Sequence, residues 1–370
     1  MNDFTLCVPC LLGLEGPISD ELRRLKLSGV RSENGRVYFS GDAMALAKAN
    51  INLRIGERVL IELGRFKAES FDELFERTKA LPWEELIPRN AAFPVKGYSL
   101  NSKLFSVSDC QKIIKKAVVE RLKSVYGIEW FPEDAETYQI QFSIMKDVVS
   151  MCIDTSGAGL HKRGYRPAHN AAPLKETMAA AMVTLSRYRG REDFCDPFCG
   201  SGTIPIEAAL IAKNRAPGIS RRFSAMDWTT LDQSVWRLAV EEARSREFSG
   251  DYRIVGSDID PAALRIAREN AVRAGVDDVV RFEKADASEF ARKTENGIIV
   301  TNPPYGERIM EKQEAEALYR SFGKAWSATE NWKLYLLSSH TEFERCFGTP
   351  ATKKRKLYNG MIKCDLFMYF

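Results

Sequence analysis

Two short stretches of the chain combine residue types that could bind a nucleotide-like ligand and act on an amine. The first spans residues 193–203 and reads Asp-Phe-Cys-Asp-Pro-Phe-Cys-Gly-Ser-Gly-Thr, and the second spans residues 301–308 and reads Thr-Asn-Pro-Pro-Tyr-Gly-Glu-Arg. The first contains a short apolar run, Phe194-Cys195, and the second follows Ile298-Ile299-Val300; both runs are of the kind that forms a buried parallel strand. Because open α/β sheets bind ligands where strands end in loops, both stretches are candidates for one site.

In the first stretch, two glycines lie between a predicted strand and a predicted helix. Gly200 and Gly202 flank Ser201, and glycine lets a ligand approach the backbone closely. A dinucleotide fingerprint would need a third glycine where Pro205 stands, which argues against a nicotinamide dehydrogenase. No Gly-Lys-Ser/Thr closes the loop, so a phosphate-binding Walker loop is excluded as well. The glycines alone would equally fit an ordinary strand-to-helix turn.

The second stretch offers hydrogen-bond acceptors and an aromatic ring in a stiff loop. Pro303 and Pro304 fix two successive φ angles and leave their carbonyls without a competing N–H, while Asn302 adds an amide oxygen. An exocyclic amine on a flat base needs two acceptors for its hydrogens and a ring on which to stack. We therefore predict Asn302, Pro303 and Tyr305 as catalytic residues. The alternative is a rigid turn with a capping Asn, which the first loop, about 100 residues upstream, makes less attractive.

These residues carry a resemblance to a known family. Residues 196–203 resemble motif I of the class I S-adenosylmethionine-dependent methyltransferases, and residues 302–305 resemble motif IV of those members that methylate exocyclic amines. The extension Gly306-Glu307-Arg308 is similar to that of the ribosomal-RNA guanine-N2 methyltransferases that carry a THUMP RNA-binding domain. The resemblance covers essentially the whole chain and is strongest in its C-terminal half.

The resemblance implies S-adenosyl-L-methionine as the cofactor and no metal. Asp258, which follows the next predicted strand, would bind the ribose, Ile259 would pack on the adenine, and Asp286 or its neighbour would contact the adenine amine. Asp260 precedes Pro261 and predicts a helix N-cap, which leaves Asp258 available to a ligand. The predicted cofactor-binding residues are Asp196, Pro197, Phe198, Gly200, Gly202, Thr203, Asp258, Ile259, Asp286, Ala287 and Asn302.

The chain before the first loop predicts two smaller units. A strand at 4–8, a helix at 18–27 with Ser19 as N-cap, a hairpin at Asn34-Gly35 and a helix at 43–50 suggest a ferredoxin-like unit without chemistry of its own. The order of elements in residues 55–155 resembles the THUMP domain, which implies a role in binding structured RNA. Its long predicted helix, 107–126 with Ser108 as cap, has a lysine-rich face suited to phosphate contacts, although such a face is otherwise simply solvated.

The connector from Leu160 to Pro167 is basic, contains glycine and ends in proline, which marks a domain boundary. Basic groups beside an aromatic ring suit single-stranded or flipped-out RNA. The predicted RNA-binding residues are Lys112, Lys115, Lys116, His161, Lys162, Arg163, Tyr165, Arg166 and Arg308. The predicted domains are a ferredoxin-like domain at 1–58, a THUMP domain at 59–157, a basic linker at 158–170 and a methyltransferase domain at 171–370.

Composition sets the limits of this interpretation. The 370 residues are 45% hydrophobic and 28% charged, as in soluble globular domains, and the net charge of +4 means that basic surface for RNA must be local. Eight cysteines are scattered, and the Cys7–Cys10 pair lacks the second ligand pair of a zinc site. Neither a signal sequence nor a run of membrane-spanning length is recognisable, so we expect a reducing cytoplasm.

The predicted fold class is α/β, with a Rossmann-like, mostly parallel seven-stranded sheet that ends in an antiparallel hairpin signalled by Asn359-Gly360. An insertion at 213–250 contains aromatic residues expected to be core, and the basic run 353–356 either contacts RNA phosphate or keeps an edge strand soluble. The predicted function is methylation of a guanine N2 amine in large-subunit (23S) rRNA. The alternatives are a tRNA guanine-N2 enzyme, an adenine-N6 or cytosine-N4 enzyme, and a non-catalytic RNA-binding assembly factor.

Overall fold

The computed structural model describes residues 3–166, 174–292, 294–305, 312–329, 331–360 and 362–370. Within these ranges, no helix combines the length and the apolar character that a membrane crossing requires. Two seven-stranded sheets organise the chain, one in each half.

The N-terminal half forms one continuous sheet. Its strands are β1 (Phe4–Pro9), β2 (Ser28–Glu33), β3 (Arg36–Gly41), β4 (Leu60–Lys67), β5 (Val95–Leu100), β6 (Ile140–Met145) and β7 (Val148–Asp154). They lie in the order β2-β3-β1-β4-β7-β6-β5. β1 pairs antiparallel with both β3 and β4, so the ferredoxin-like and THUMP units share a single sheet. The predicted Asn34-Gly35 hairpin joins β2 to β3.

Four helices belong to this half. They are α1 (Glu15–Arg24), α2 (Ala43–Asn52), α3 (Phe71–Lys79) and α4 (Val107–Tyr126). The predicted cap of α1 is wrong, because Ser19 lies inside the helix, where its hydroxyl donates to the Glu15 carbonyl at 2.8 Å. The bounds of α4 are as predicted, but its N-cap residue is Ser106 and not Ser108.

The C-terminal half contains the predicted mostly parallel sheet. Its strands are β8 (Asp193–Asp196), β9 (Ile254–Asp258), β10 (Val280–Lys284), β11 (Gly297–Thr301), β12 (Trp332–Ser338), β13 (Lys353–Asn359) and β14 (Ile362–Tyr369). Their order is β10-β9-β8-β11-β12-β14-β13; β14 pairs antiparallel with both β12 and β13, and the other neighbouring strands are parallel. The chain moves outward from β8 through β9 and β10 and then returns to the other side of β8 as β11. A crevice therefore opens between β8 and β11, where open α/β sheets bind ligands.

Helices and short turns connect these strands. They are α5 (Glu176–Leu185), α6 (Thr203–Ala212), α7 (Ser234–Ser245), α8 (Pro261–Ala274), α9 (Lys312–Ser327), α10 (Phe343–Phe347) and 3-10 turns at Ser224–Asp227 and Ala287–Glu289. A further 3-10 turn, Trp83–Glu85, follows α3 in the N-terminal half. Asp260 caps α8 as predicted, accepting the backbone N–H of Ala262 at 2.8 Å.

The insertion between α6 and β9 joins the two halves. Trp228 stacks on Tyr138 of the N-terminal half with ring centroids 4.4 Å apart, and its indole N–H donates to the Thr137 carbonyl at 3.0 Å. Phe223 stacks on Trp236 at 5.4 Å. Phe223, Trp228 and Trp236 are buried, which confirms the prediction that they are core residues, whereas Phe248 near the end of the insertion is 60% exposed. The stacking of Trp228 on Tyr138 also fixes the N-terminal half beside the C-terminal sheet.

Candidate active site

The two loops predicted from the sequence meet in the crevice between β8 and β11. Backbone pairing between these strands ends at Ile299 opposite Cys195. Beyond this pair, the Thr301 hydroxyl donates to Asp196 Oδ1 at 2.6 Å, and both side chains are buried. This side-chain hydrogen bond spans the point where the two strands separate. It therefore fixes the predicted substrate loop after β11 (residues 302–305) relative to the glycine loop after β8 (residues 197–202).

Asp196 combines this structural role with an unusual electrostatic environment. Burial raises the pKa of its carboxyl group to about 7; hydrogen bonds from Thr301 and from the Phe198 N–H (3.1 Å) oppose this rise, and nearby Asp258 adds to it. No described cation pairs with this carboxyl group. A positively charged ligand would favour the carboxylate form, so the site fits a ligand that carries an ammonium or sulfonium group.

The glycine loop is shaped by two residues in the left-handed region. Gly200 has φ 50° and Gly202 has φ 82°. A Cβ on Gly202 would lie 2.9 Å from Phe282 Cζ, whereas a Cβ on Gly200 would meet open space. The loop is thus packed on one side and leaves room on the other for a ligand to approach the backbone. The buried Asn270 amide supports it by donating to the Ser201 carbonyl at 3.0 Å.

The remaining predicted cofactor residues surround this loop. Asp258 accepts the backbone N–H of Gly200 at 2.8 Å and that of Asp260 at 3.0 Å. Ile259 directly follows β9 and leaves 63% of its surface exposed, so its side chain is accessible for contact with a flat ring. At the end of β10, Asp286 accepts the Ser288 N–H at 2.8 Å. An acid, an apolar side chain and a second acid thus follow adjacent strands.

Other members of the predicted set have defined structural surroundings. Phe198 packs edge-on against Phe322 of α9 at 5.2 Å, and Ala287 is buried at the first position of its 3-10 turn. Thr203 is the first residue of α6. Together with Pro197, these residues shape the rim and floor of the loop. Three features fit an adenosyl ligand with a cationic methionine end: the acceptors Asp258 and Asp286, the open space at Gly200, and the buried Asp196 carboxyl group that has no described cation beside it.

The substrate loop is held by hydrogen bonds of two tyrosines. The Tyr305 hydroxyl donates to Asn302 Oδ1, and the Tyr319 hydroxyl of α9 donates to the Pro304 carbonyl at 2.6 Å. Burial raises the pKa of Tyr305, so it remains a neutral donor. In this state the Asn302 acceptor is already engaged, and an incoming amine would have to take the place of the Tyr305 hydroxyl. Pro303 is buried behind them.

The connector residues differ from their predicted role. Arg163 and Tyr165 are buried, and both contact Glu207 of α6, through Arg163 Nε at 3.3 Å and the Tyr165 hydroxyl at 3.1 Å. Arg163 also donates to the Leu160 carbonyl at 2.7 Å. The prediction that Arg163 and Tyr165 contact RNA is wrong, because their polar atoms are used inside the protein. The alternation along the connector leaves Lys162 exposed.

Two further connector residues are also engaged. Arg166 forms a fork with Glu176, with Nε–Oε1 at 2.9 Å and Nη2–Oε2 at 2.6 Å, and its Nη1 lies 3.4 Å from Thr203 Oγ1. Arg166 therefore joins the connector to α5 and to the start of α6. Burial lowers the pKa of His161 to about 4, so this side chain is neutral at pH 7 and does not attract phosphate as a cation. Arg308 and the Gly306-Glu307 extension lie outside the described residues.

Acidic partners neutralise part of the lysine-rich face of α4. Lys115 donates to Glu133 at 2.6 Å and to the Phe93 carbonyl at 3.1 Å, and burial lowers its pKa. This pairing does not fit the predicted phosphate contact of Lys115. Lys112 is 78% exposed with only a 3.5 Å contact to Asp109, and Lys116 is exposed. The described structure thus leaves Lys112, Lys116 and Lys162 as exposed cations of the predicted RNA set.

One cluster of metal-ligand types occurs among the described residues. Ligand atoms of Glu316, His340 and Cys346 lie within 4.8 Å of one another. However, His340 Nδ1 accepts the backbone N–H of Glu342 at 3.2 Å, so the neutral ring carries its proton on Nε2, the atom that would face a metal. Metal-binding histidines usually donate from their second nitrogen. We therefore interpret the cluster as packing beneath α10.

Several residues that organise the site were not recognised from the sequence. Thr301, Asn270, Glu176 and Glu207 are buried polar residues, each with a specific partner described above. Glu207 offered the clearest signal, because it interrupts the otherwise apolar helix Ile-Pro-Ile-Glu-Ala-Ala-Leu-Ile-Ala. A buried charge in such a helix requires a partner of opposite charge.

The sheet order and the paired loops at its switch point define the class as a class I methyltransferase. Residues 163–367 match the family model described as RMKL-like methyltransferase domain. Residues 5–60 match the RlmL ferredoxin-like domain, and residues 68–154 match the THUMP domain. The chain belongs to the RMKL-like methyltransferase family. This confirms the resemblance, the fold class and the S-adenosylmethionine-dependent methyltransferase class that were predicted from the sequence.

Two curated relatives illustrate the range of the family. A Bacillus subtilis protein named "Putative RNA methyltransferase YpsC" is 44% identical over 375 residues, covering 100% of this chain and 97% of the relative. The ribosomal RNA large subunit methyltransferase K/L of Syntrophotalea carbinolica is 34% identical over 374 residues, covering 96% of this chain and 52% of the relative. The chain thus spans about half the length of the K/L relatives that it matches.

Two solved structures are similar over the whole chain. One is described as a predicted N6-adenine-specific DNA methylase from Listeria monocytogenes, with 46% identity, a TM-score of 0.94 and coverage of 100% of this chain and 97% of that chain. The other is SMU.472, described as "a putative methyltransferase complexed with SAH", with 38% identity, a TM-score of 0.93 and coverage of 100% and 98%. Both support the class of the fold.

Proposed function

We propose that this protein transfers a methyl group from S-adenosyl-L-methionine to the exocyclic N2 amine of a guanine in large-subunit (23S) rRNA. The observation that carries the proposal is the buried Thr301–Asp196 hydrogen bond, which holds the acceptor-rich substrate loop beside the glycine loop. The THUMP domain favours RNA as the substrate, and the names of the K/L relatives favour ribosomal RNA. Because this substrate is made and assembled in the cytoplasm, we propose that location as well.

The cofactor supplies a methyl group that its own sulfonium activates when it is bound. Among the residues of the chain, Asp258 would accept hydrogen bonds from the ribose, Ile259 would cover the adenine, and Asp286 with Ala287 would bind the edge of the base. Asp196 provides the negative charge beside the glycine loop. Its pKa near neutrality means that a cationic ligand and the carboxylate form stabilise each other.

On the substrate side, the loop after β11 would orient the amine. A guanine amine is a poor nucleophile because its lone pair is delocalised into the ring. If Asn302 Oδ1 and the Pro303 carbonyl accept its two N–H bonds, the nitrogen can rehybridise and direct its lone pair at the methyl carbon. With the methyl group supplied by the bound cofactor, the amine nitrogen would gain one N–C bond and would release one proton to solvent. Tyr305 would stack on the flipped base after its hydroxyl leaves Asn302.

The rival substrates are distinguished by specific observations. A tRNA guanine-N2 enzyme would share every feature of the catalytic loop, so only the substrate RNA separates it from our proposal. An adenine-N6 enzyme is the second candidate, favoured by the description of the Listeria structure. The THUMP domain argues against duplex DNA as the substrate. A non-catalytic assembly factor is disfavoured, because the crevice retains both loops in contact.

The test is methylation by the purified protein with radiolabelled S-adenosylmethionine. Large-subunit rRNA, small-subunit rRNA, tRNA and duplex DNA are offered separately, and the labelled nucleosides are identified by chromatography. We expect N2-methylguanosine from large-subunit rRNA. The same nucleoside from tRNA would move the substrate and keep the chemistry, whereas label in DNA adenine would overturn the proposal. A ribosomal assembly intermediate serves as a further substrate if mature rRNA is not labelled.

A further inference from the structure

The terminal hairpin of β13 and β14 rises above the edge of the sheet that carries the catalytic loop. Pairing between β12 and β14 ends at Ser338 opposite Asp365, whereas pairing inside the hairpin continues to Asn359 opposite Ile362. At about 3.4 Å per residue, the hairpin overhangs β12 by roughly 10 Å. Because β11 and β12 are parallel neighbours, the overhang stands at their carboxyl ends, beside the loop that holds Asn302. We call residues 356–360 and 362–364 the hairpin tip.

One face of the hairpin tip touches the substrate loop. Cys364 Sγ lies 3.8 Å from the Tyr305 hydroxyl, the group that donates to Asn302 Oδ1. Cys364 and its cross-strand partner Leu357 are both buried. The hairpin tip is therefore a wall of the catalytic site and is held in place by packing rather than projecting freely.

The opposite face of the hairpin tip is basic and contains an aromatic ring. Side chains alternate along strands, so Lys356 and Tyr358 point away from Leu357, and Lys363 stands directly opposite Tyr358. Both lysines are exposed, and neither forms an ion pair with any residue that the structure describes. By contrast, the adjacent Lys354 is paired with Glu344 at 2.6 Å. The acidic residue on this face is Asp365, opposite Lys356.

We propose that the hairpin tip is a contact surface for the single-stranded RNA that flanks the target base, with Tyr358 as a stacking surface and Lys356 and Lys363 as phosphate contacts. This proposal rests on the proposed RNA methyltransferase function. An extruded base is held in the site only if its neighbouring nucleotides are held as well. Alternating lysines and an aromatic ring provide such binding without reading the sequence.

The competing explanation is that the lysines only protect an exposed edge strand from association. Protection of an edge accounts for charge, but it does not require a half-buried tyrosine between the charges. It also does not require that the charged segment pack against the catalytic loop. The two explanations differ in whether the lysines change RNA affinity more than equivalent lysines elsewhere.

The experiment compares two matched charge reversals in the full chain. The test variant is Lys356→Glu/Lys363→Glu, and the control is Lys324→Glu/Lys333→Glu, which changes two exposed lysines at the opposite end of the same domain. Binding of a labelled large-subunit rRNA fragment is measured at several salt concentrations, and binding of S-adenosylhomocysteine is measured in parallel. We expect the test variant to bind RNA at least tenfold more weakly, with a salt dependence shallower by about one to two ions. The affinity for S-adenosylhomocysteine should not change in either variant.

A second pair of variants tests the stacking surface. Tyr358→Ala should weaken RNA binding about tenfold, whereas Tyr358→Phe should retain it, because stacking needs the ring and not the hydroxyl. If the wild-type protein methylates RNA but both test variants bind it as the control does, the proposal for the hairpin tip is overturned and the proposed function stands. If the wild-type protein neither binds nor methylates any RNA, the proposed function fails and the hairpin tip proposal fails with it.

Discussion

Two buried polar regions of this protein, the contact between the connector and α6 and the crevice around Asp196, show how a structural charge differs from a functional one. Where the connector packs on α6, Arg163 and Tyr165 both donate to Glu207, and Arg163 also donates to a backbone carbonyl. In the crevice, Asp196 is equally buried but accepts only neutral donors, Thr301 and the Phe198 N–H. Burial without a cation raises the pKa of Asp196 to about 7. A buried carboxyl group in this condition is prepared for a cationic ligand, whereas Glu207 already has its cation.

This comparison predicts that variants at the contact between the connector and α6 change stability, whereas variants in the crevice change activity. The largest effect is expected from Glu207→Gln, which would leave the buried Arg163 guanidinium without its counter-charge. Breaking a buried pair on one side costs about 3–5 kcal/mol. Urea denaturation measures the loss in the free energy of unfolding. Glu269→Gln, which breaks the half-exposed pair with Arg273, is the matched control and should cost less than about 1 kcal/mol. Equal losses in the two variants would contradict the assignment of Glu207.

In the crevice, Asn302→Ala should lower turnover about 10²–10³-fold, because it removes a positioned acceptor that acts on the reacting amine. The affinity for S-adenosylhomocysteine should stay nearly intact although Asn302 is also among the predicted cofactor-binding residues, and the midpoint of urea denaturation should stay as in the wild type. Turnover is measured with saturating RNA and cofactor, and binding of the cofactor product is measured by calorimetry. An equal loss of turnover and cofactor affinity would show that Asn302 belongs to the cofactor site instead.

Asp258→Ala should produce the reverse pattern. The Asp258 carboxylate accepts the Gly200 N–H and is the predicted ribose acceptor, so its loss should weaken cofactor binding about 10- to 100-fold, as expected for hydrogen bonds to a charged group. Turnover at saturating cofactor should fall much less. Binding measured by calorimetry and initial rates across cofactor concentrations separate the two effects. Unchanged cofactor affinity would remove Asp258 from the site.

The smallest effect concerns pH. Because the pKa of Asp196 is raised from 3.8 to about 7 in the folded protein, the folded state binds more protons than the unfolded state between about pH 4 and 7. The contribution of this carboxyl group to stability therefore falls as pH rises through that window. Binding of the cationic cofactor should behave in the opposite way and strengthen about tenfold from pH 6 to pH 8, as the carboxylate forms.

Matched variants test the origin of this pH dependence. Asp196→Asn should bind the cofactor more weakly and with no change between pH 6 and pH 8. Thr301→Val removes one donor to the carboxylate and should move the transition to higher pH, whereas Thr301→Ser should restore it. Nearby Asp258, Cys195 and Cys199 are the other titratable groups around this site. Asp258→Asn, which should weaken cofactor binding at both pH values, tests whether Asp258 contributes to the pH dependence. A pH dependence that persists in Asp196→Asn would contradict the role of Asp196.

The sequence by itself determined the features that depend on local order. Alternating and helical hydrophobic patterns placed the strands and helices, the Asn34-Gly35 and Asn359-Gly360 turns marked both hairpins, and the two loop motifs identified the site and its class. These features follow from neighbouring residues, which a single sequence displays. The same reasoning failed for two caps. α1 begins at Glu15, so Ser19 lies inside it, and α4 begins where predicted but has Ser106 rather than Ser108 as its N-cap.

Only the tertiary structure decided which charges are available. Arg163 and Lys115 look like RNA-binding cations in the sequence, yet Glu207 and Glu133, 44 and 18 residues away, pair with them. The bond between Thr301 and Asp196 joins residues 105 positions apart. Burial and ion pairing depend on the folded surroundings and not on residue type, so the pKa of Asp196 and the exposure of each lysine could not be read from the chain.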